Sequence, residues 1–317
     1  MNNNEEKITV VNAKQEFLCK TGILDNFIAG WMVEIGSANI GDEDKKIYRL
    51  QLGSDTYIFK TIQCHISNEE SINRVKTEYT SSLKCSELCM NIAKPINYAD
   101  YLSNTIRKYV TEIVYEYGDS NILTANLTPL EILTNMVNVS DAMQILHKNG
   151  IFHSDLRPAT IVLKANEVKI IDLGISIAFD SRMKFMRKRL RNNETVSNSY
   201  AYYPPEVIID KDYEANKLDV YCWGMSLYQL ITKKTEKELE KEVKLYKSNE
   251  NDYSNFIEQI KTITIKDEAL NELIVEILLL TLNFNYNKRP DFTELSTLIR
   301  TKAFDYKVKL KGIRMVL

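Results

Sequence analysis

Two aspartates in the middle of the chain, Asp155 and Asp172, most strongly constrain what this sequence can fold into. Asp155 lies in a polar segment, residues 153–160, and Asp172 directly follows an apolar run. Two short segments rich in apolar residues, 161–163 and 168–171, lie between the aspartates and predict two short strands. A carboxylate at the end of such an element can cap a turn or serve chemistry, so the rest of the chain must decide.

The composition is that of an ordinary globular protein, with 317 residues, 44% hydrophobic and 26% charged. A net charge of −2 gives no support for binding to nucleic acid or to an anionic membrane. The five scattered cysteines predict free thiols in a reducing compartment. No apolar run reaches the ~20 residues of a membrane span. We therefore expect a cytoplasmic protein with neither a nucleic acid nor a membrane partner.

The predicted secondary structure changes character along the chain. A helix is predicted near Glu69–Leu83, among strands, and from Pro129 onward apolar residues recur at helical spacing. The predicted strands are Trp31–Ile35, Ile47–Leu52, Thr56–Ile62, Asn91–Tyr98 and Lys108–Tyr115. The sequence therefore predicts a small β-rich part that precedes a larger helical part.

Three other segments carry separate expectations. Residues 1–30 are predicted to form an N-terminal extension, and residues 305–317 a basic C-terminal tail. The charged residues 233–268 are helix-prone, and we expect them to form a solvated surface insert.

Several short motifs occur in one fixed order together with the two aspartates. These motifs are Lys60 at the end of Tyr-Ile-Phe-Lys, Glu78 on the predicted helix, Val-Tyr-Glu-Tyr-Gly at 114–118, His-Ser-Asp at 153–155, Asp-Leu-Gly at 172–174, Tyr-Pro-Pro-Glu at 203–206, Asp-Val-Tyr-Cys-Trp-Gly at 219–224 and Lys-Arg-Pro at 288–290. With them, the chain from about residue 31 to residue 304 resembles the catalytic core of protein kinases, in which a His-Arg-Asp loop precedes Asp-Phe-Gly.

The resemblance implies an α+β, bilobal protein-kinase fold. Residues 31–118 would form a small β-rich N-lobe with helix C, and residues 119–304 a larger α-helical C-lobe. The implied activity is transfer of the ATP γ-phosphate to a protein hydroxyl with Mg²⁺ as cofactor. Arg157-Pro158 favours serine or threonine as the acceptor.

The resemblance also implies catalytic and metal-binding roles for individual residues. Asp155 matches the catalytic base, and Arg157 stands where the family usually has a lysine near the γ-phosphate. Lys60, paired with Glu78, would position the phosphates. The resemblance also implies an ion pair between Glu206 and Arg289. Asp172 matches the metal ligand, and Thr160 occupies the place of the asparagine that binds a second metal ion.

Further nucleotide contacts are implied by the segment at 36–41 and by the segment at 114–118. Gly36 and Gly41 match the outer glycines of the loop that covers the phosphates, although a plain hairpin turn fits this segment equally well. The backbone of Glu116 and Gly118 would bind adenine. Tyr115 would be the gatekeeper, and its bulk would close the pocket behind the base.

The sequence departs from the family pattern at several points. Ala38 replaces the middle glycine, Ser154 replaces the arginine of the catalytic loop, and Thr160 replaces the asparagine. These changes favour an alternative, a pseudokinase that acts as a scaffold, structural subunit or allosteric partner. A fold alone does not decide between the two, because function depends on the site.

The segment between Asp172 and Glu206 corresponds to the family's activation segment and is rich in basic residues. They include Lys184, Arg187, Lys188, Arg189 and Arg191. A solvated loop explains them, and so does a docking surface for an acidic protein substrate or partner.

Overall fold

The computed structural model describes residues 30–40, 43–52, 54–103, 106–173, 201–209, 213–246 and 250–310. The chain divides into two compact units. The first contains the described residues up to Asp119 together with Asp172 and Leu173, and the second contains the others. A β-rich first unit and a mainly helical second unit confirm the predicted α+β, bilobal fold class. The predicted limits 31–118, 119–304 and 305–317 stay predictions, and residues 1–29 and 311–317 lie outside the described part.

The first unit is built on a five-stranded sheet in the order β1-β2-β3-β5-β4, in which all neighbours are antiparallel. Helix α1, Glu69–Leu88, connects β3 to β4. The strands are β1 Gly30–Ile40, β2 Glu43–Leu52, β3 Asp55–Cys64, β4 Pro95–Ser103 and β5 Lys108–Glu116.

The hairpin formed by β1 and β2 is longer than predicted. Pairing continues until Ile40 stands opposite Glu43, with one irregularity between Glu34 and Gly36. The sequence predicted this strand to begin at Ile47, but residues 43–46 are also part of β2. The hydrogen bonds of a ladder join backbone groups, so a run of charged side chains does not prevent pairing.

The core of the first unit lies between the sheet and α1. Ile62, Ile113 and Tyr115 are buried there, and Tyr79 from α1 packs against them with Tyr98 from β4. The rings of Tyr79 and Tyr98 stack with their centroids 4.7 Å apart. This packing fixes α1 against the face of the sheet that carries Lys60.

The second unit is mainly helical and has a small antiparallel sheet, β6-β7-β8. A 3-10 turn, Pro158–Thr160, precedes β7. Its strands are β6 Ser120–Asn121, β7 Ile161–Lys164 and β8 Glu167–Ile170. Its helices are α2 Pro129–Lys148, α3 Pro205–Ile208, α4 Ala215–Thr232, α5 Glu236–Tyr246, α6 Glu250–Lys261, α7 Glu268–Thr281 and α8 Phe292–Asp305.

Helix α4 forms the centre of the second unit. Its residues from Leu218 to Leu230 are all buried, and it packs against α2 and α7. Trp223 on α4 donates its indole N–H to the carbonyl of Met136 on α2 at 2.8 Å. Helix α2 begins at a capping box in which Thr128 and Glu131 satisfy each other's backbone N–H groups. None of the helices in the described ranges is long and apolar enough to cross a membrane.

The prediction that residues 233–268 form a solvated insert was wrong. They form α5 and α6, and each helix buries one face. The buried side chains are Leu239, Val243, Tyr253, Phe256 and Ile260. They recur three or four positions apart, which places them on one side of each helix. The prediction missed this spacing because charged residues outnumber the apolar ones in the segment.

The predicted ion pair between Glu206 and Arg289 is present and buried. Arg289 Nη1 lies 2.6 Å from Glu206 Oε1, and Nη2 lies 2.9 Å from Oε2. The guanidinium group also lies over the ring of Tyr221 at 4.7 Å. Arg289 thereby joins α3, α4 and the turn that precedes α8.

Replacing Glu206 by glutamine should destabilise the second unit markedly, because Arg289 then stays buried without a counter-charge. We expect a loss of about 3 kcal/mol in the free energy of unfolding, measured by urea denaturation. The same substitution at Glu258, which forms a solvent-exposed pair with Lys261, is the control and should change the midpoint far less. Equal effects of the two variants would contradict a structural role for the buried pair.

Candidate active site

Lys60 on β3 and Glu78 on α1 form a buried ion pair in the first unit. Lys60 Nζ lies 2.5 Å from Glu78 Oε1 and 2.6 Å from Oε2. Only 5% of Lys60 and 4% of Glu78 is exposed. Buried charges are tolerated only when they are paired and hydrogen-bonded, so this contact ties the helix to the strand. The structure therefore brings together the lysine and glutamate that the sequence predicted to pair.

Asp172 shares the ammonium group of Lys60. Lys60 Nζ lies 2.7 Å from Asp172 Oδ1, and a second lysine, Lys45, lies 3.2 Å from Oδ2. Burial alone would raise the pKa of Asp172, but the charges of Lys45 and Lys60 hold that pKa well below its usual value. Asp172 is thus kept as a carboxylate. Its backbone φ of 70° lies in the left-handed region, which is costly for an aspartate and is held by this surrounding structure.

The two lysines respond differently to this environment. Burial lowers the pKa of Lys60, but Asp172 and Glu78 outweigh that effect and raise the pKa above its usual value. Burial also lowers the pKa of Lys45, and there the attraction of Asp172 does not compensate. Lys60 therefore holds its proton firmly and stays cationic, whereas Lys45 holds its proton less strongly. Sequence reasoning did not identify Lys45, since the strand that carries it was expected to begin only after it.

Tyr115, near the end of β5, completes the set of groups around Glu78. Its hydroxyl donates to Glu78 Oε1 at 3.0 Å. Burial raises the pKa of Tyr115 well above the usual value for a phenol, so the hydroxyl remains a donor. The ring was predicted as a bulky gatekeeper. The structure adds that its hydroxyl helps to hold the glutamate that holds Lys60.

In the second unit, the loop that carries Asp155 is fixed by a carboxylate of α4, Asp219. Asp219 is fully buried and accepts the backbone N–H of His153 at 2.8 Å and that of Ser154 at 2.7 Å. His147 Nε2 lies 2.9 Å from the same carboxylate. Ser154 has a φ of 62°, and these bonds hold its left-handed backbone. The loop is therefore fixed through its backbone and not through the side chain at position 154.

Asp155 is 4% exposed and faces two side chains of its own unit. The hydroxyl of Tyr203 donates to Asp155 Oδ1 at 3.2 Å, and Arg157 Nε lies 3.7 Å from Oδ2. Arg157 also reaches Glu236, the first residue of α5, with 3.2 Å between Nη1 and Oε1. Tyr203 was recognised only as part of the motif at 203–206, and Glu236 was not recognised at all. Neither contact was predicted, because each residue lies far from its partner along the chain.

The hydroxyl group of Thr160 forms hydrogen bonds with the backbone of this loop. Thr160 Oγ1 donates to the carbonyl of Arg157 at 2.9 Å and accepts the N–H of the same residue at 3.2 Å. It also lies 3.4 Å from the carbonyl of Asp155. These bonds close the turn of Pro158–Thr160. The metal-binding role predicted for Thr160 stays a prediction, and these bonds compete with it.

The remaining predicted nucleotide contacts lie on β1 and at the end of β5. Gly36 lies within β1 opposite Ile47, and Gly41 lies outside the described residues. Glu116 is the last residue of β5, where its N–H bonds to the carbonyl of Lys94 at 3.2 Å, and Gly118 follows the strand. Their roles toward phosphate and adenine stay predictions.

Each unit thus presents a chemically distinct set of groups. The first combines two lysines with an ionised aspartate, which suits a polyanion and a hard cation such as Mg²⁺. The second combines a buried carboxylate with an arginine, which suits orientation of a hydroxyl. Within the described part of the chain, no three His, Cys, Asp or Glu side chains cluster as a metal site.

Comparison with known proteins points to one family. A model described as the protein kinase domain matches residues 35–298. The chain is 24% identical over 196 residues to a probable serine/threonine-protein kinase of Dictyostelium discoideum, which covers 58% of this chain and 37% of that protein. It is 30% identical over 200 residues to serine/threonine-protein kinase ULK1 of Homo sapiens, which covers 57% of this chain and 17% of that protein.

A bacterial kinase also aligns with part of the chain. The chain is 28% identical over 173 residues to a probable serine/threonine-protein kinase of Clostridium perfringens, which covers 52% of this chain and 23% of that protein. In all three alignments the chain spans less than half of the relative's length.

Replacing Tyr115 by phenylalanine should destabilise the first unit, because Glu78 loses a buried donor. Hydrogen bonds to charged groups contribute about 1.5–3 kcal/mol, and we expect a loss of the free energy of unfolding of that order in urea denaturation. Tyr98→Phe is a matched control in the same core, since the Tyr98 hydroxyl is buried and has no hydrogen-bond partner among the described residues. The control should be neutral or stabilising, and a similar loss in both variants would contradict the role of Tyr115.

Proposed function

This chain belongs to the protein kinase family, and we propose that it transfers the γ-phosphoryl group of ATP to a hydroxyl group of a protein. Serine or threonine is the proposed acceptor, because the relatives named above are serine/threonine kinases and Arg157-Pro158 follows the proposed base. ATP and Mg²⁺ are the proposed substrate and cofactor. The alignments cover only part of each relative, so these statements concern the kinase domain.

The observation that carries this proposal is the position of Lys60 between Glu78 and Asp172. Phosphoryl transfer in this family requires the strand lysine paired with the helix glutamate, and the metal-binding aspartate in place. Lys60 Nζ lies 2.5 Å from Glu78 Oε1 and 2.7 Å from Asp172 Oδ1. An ion cluster of this kind is costly to bury, so a substrate-binding role explains it better than stability does.

The groups around Asp172 fit Mg²⁺ bound together with nucleotide phosphates. A carboxylate is the hard oxygen ligand that Mg²⁺ prefers, and Asp172 is held ionised. When bound, Mg²⁺ neutralises charge on the phosphate oxygens. Lys60 would bind the phosphates, and Glu78 would orient its ammonium group. Glu116 and Gly118 would contact adenine through their backbone, and Gly36 and Gly41 would lie over the phosphates.

The loop of the second unit supplies the groups proposed to act on the acceptor. Asp155 would accept a hydrogen bond from the acceptor hydroxyl, orient its oxygen and take its proton as the new bond to phosphorus forms. Arg157 would offset the charge of the transferred group. Tyr203 and Asp219 are positioning residues in this scheme, since one contacts the Asp155 carboxylate and the other fixes the loop backbone.

The proposed partner is a protein substrate, with an acidic surface as the best match for the basic residues between positions 184 and 191. That segment lies outside the described residues, so this part of the proposal is based on charge alone.

Replacing Asp155 by asparagine should abolish phosphate transfer to a general protein acceptor, measured with γ-labelled ATP. Loss of general base catalysis alone lowers turnover about 10²–10⁴-fold. The control is Asp141→Asn, which changes a partly exposed carboxylate of α2 that pairs with Arg300 and should leave transfer unchanged. Transfer that persists in the Asp155 variant would overturn the role given to this residue.

A non-catalytic kinase fold is the second candidate, favoured by the bonds of Thr160. Its hydroxyl is bonded to the backbone of Arg157, and the Arg157 side chain is itself held by Glu236. In this case the chain would act as a scaffold or allosteric partner of another protein.

Nucleotide binding separates the two candidates. At a concentration of 100 times the dissociation constant, a ligand stabilises the folded state by about 2.7 kcal/mol, which raises the melting temperature measurably. We expect such a rise with millimolar ATP and Mg²⁺. The absence of both this rise and phosphate transfer would favour the scaffold.

A further inference from the structure

A second lysine lies on the same face of the sheet as Lys60. In the register of β2 and β3, Lys45 stands opposite Ile62, and Ile47 stands opposite Lys60. Side chains two positions apart in a strand share a face, and directly opposed residues of an antiparallel pair point to the same side. Lys45 and Lys60 therefore point to one side of the sheet, and the contacts of both with Asp172 agree with this.

The contacts of the two lysines differ in a way that matters for a ligand. Lys60 Nζ is shared between Glu78 and Asp172, and its side chain is 6% exposed. Lys45 Nζ contacts Oδ2 of Asp172 at 3.2 Å, and its side chain is 22% exposed. Lys45 thus lies at the accessible side of the cluster. The cluster holds two ammonium groups against two carboxylates, so it is neutral before a ligand or a metal ion arrives.

The position of Lys45 on β2 also matters. Lys45 stands opposite Ala38. Ala38 belongs to the segment at 36–41, which resembles the family's phosphate-covering loop. Ala38 replaces a glycine of that loop, which weakens the approach of backbone N–H groups to phosphate. A lysine side chain from the opposite strand provides a positive charge at the same level of the hairpin.

We propose that Lys45 is a second phosphate-binding cation of the nucleotide site, which acts beside Lys60 and rests on Asp172 when no nucleotide is bound. This inference rests on the proposed function, because it assumes that the substrate is a nucleoside triphosphate. With Asp172 engaged by a metal ion, Lys45 would pair with a phosphate oxygen instead.

The test compares the binding of ATP and of adenosine to the full chain by isothermal titration calorimetry in the presence of Mg²⁺. Lys45→Met removes the charge and keeps a similar chain length. We expect this variant to bind ATP about tenfold or more weakly than the wild type, as for loss of a hydrogen bond to a charged group. Its affinity for adenosine should stay within about twofold of the wild type. Lys45→Arg retains a cation and should bind ATP within about threefold of the wild type. The wild-type affinity for ATP should also fall with salt more steeply than that of Lys45→Met.

Lys46→Met is the matched control. Lys46 is the next residue of β2 and stands opposite Thr61, so it points to the other face of the sheet. It should bind both ligands as the wild type does.

Four outcomes would overturn the proposal. ATP binding by Lys45→Met that is unchanged, or tighter, would show that Lys45 does not bind phosphate. An equal loss for ATP and adenosine would show that Lys45 only anchors the hairpin. Equal weakening by the Lys46 variant would show that the effect is a general one of surface charge. No ATP binding by the wild type would overturn this inference and the proposed function together. ATP binding that depends on Lys45 without any phosphate transfer would support the site and overturn the proposed transfer alone.

Discussion

The ammonium group of Lys60 is the point on which the first unit depends. It joins the middle of the sheet, through β3, to Glu78 on α1 and to Asp172 from a distant part of the chain. A carboxylate left without its cation in such a place would cost several kcal/mol. Each of the three segments is therefore held in position by the other two. Tyr115 extends the same arrangement to β5 through its bond to Glu78.

The second unit relies on a buried acid in a comparable way. Asp219 lies on the central helix α4, and two backbone N–H groups of the loop before Asp155 donate to it. This explains how the loop tolerates Ser154 in the place of the family's arginine, since the loop is fixed from its backbone. The arginine at 157 and the hydroxyl of Tyr203 then set the surroundings of the Asp155 carboxylate. In both units, buried charged side chains thus hold the segments that carry the site residues in position. A core that served only stability would use apolar side chains there.

Much of the fold and part of the candidate site could be predicted from local sequence. Periodicity indicated the helices from Pro129 onward, and the resemblance to protein kinases implied the pairs Lys60–Glu78 and Glu206–Arg289. The errors arose where composition hid geometry. Residues 233–268 were expected to be solvated because charges outnumber the apolar residues, yet one face of each helix is buried. The start of β2 was predicted at Ile47, whereas the strand begins at Glu43.

The identity and order of the charged residues, and the membership of the chain in the protein kinase family, follow from the amino-acid sequence alone. Three contacts arise only from the three-dimensional packing: Lys45 shares Asp172 with Lys60, Tyr203 contacts Asp155, and Glu236 binds Arg157. The reason is physical. A shift of one residue in strand register moves a side chain to the opposite face of the sheet, and contacts between distant segments depend on how whole elements pack. Neither the strand register nor the packing of whole elements can be read from the local sequence.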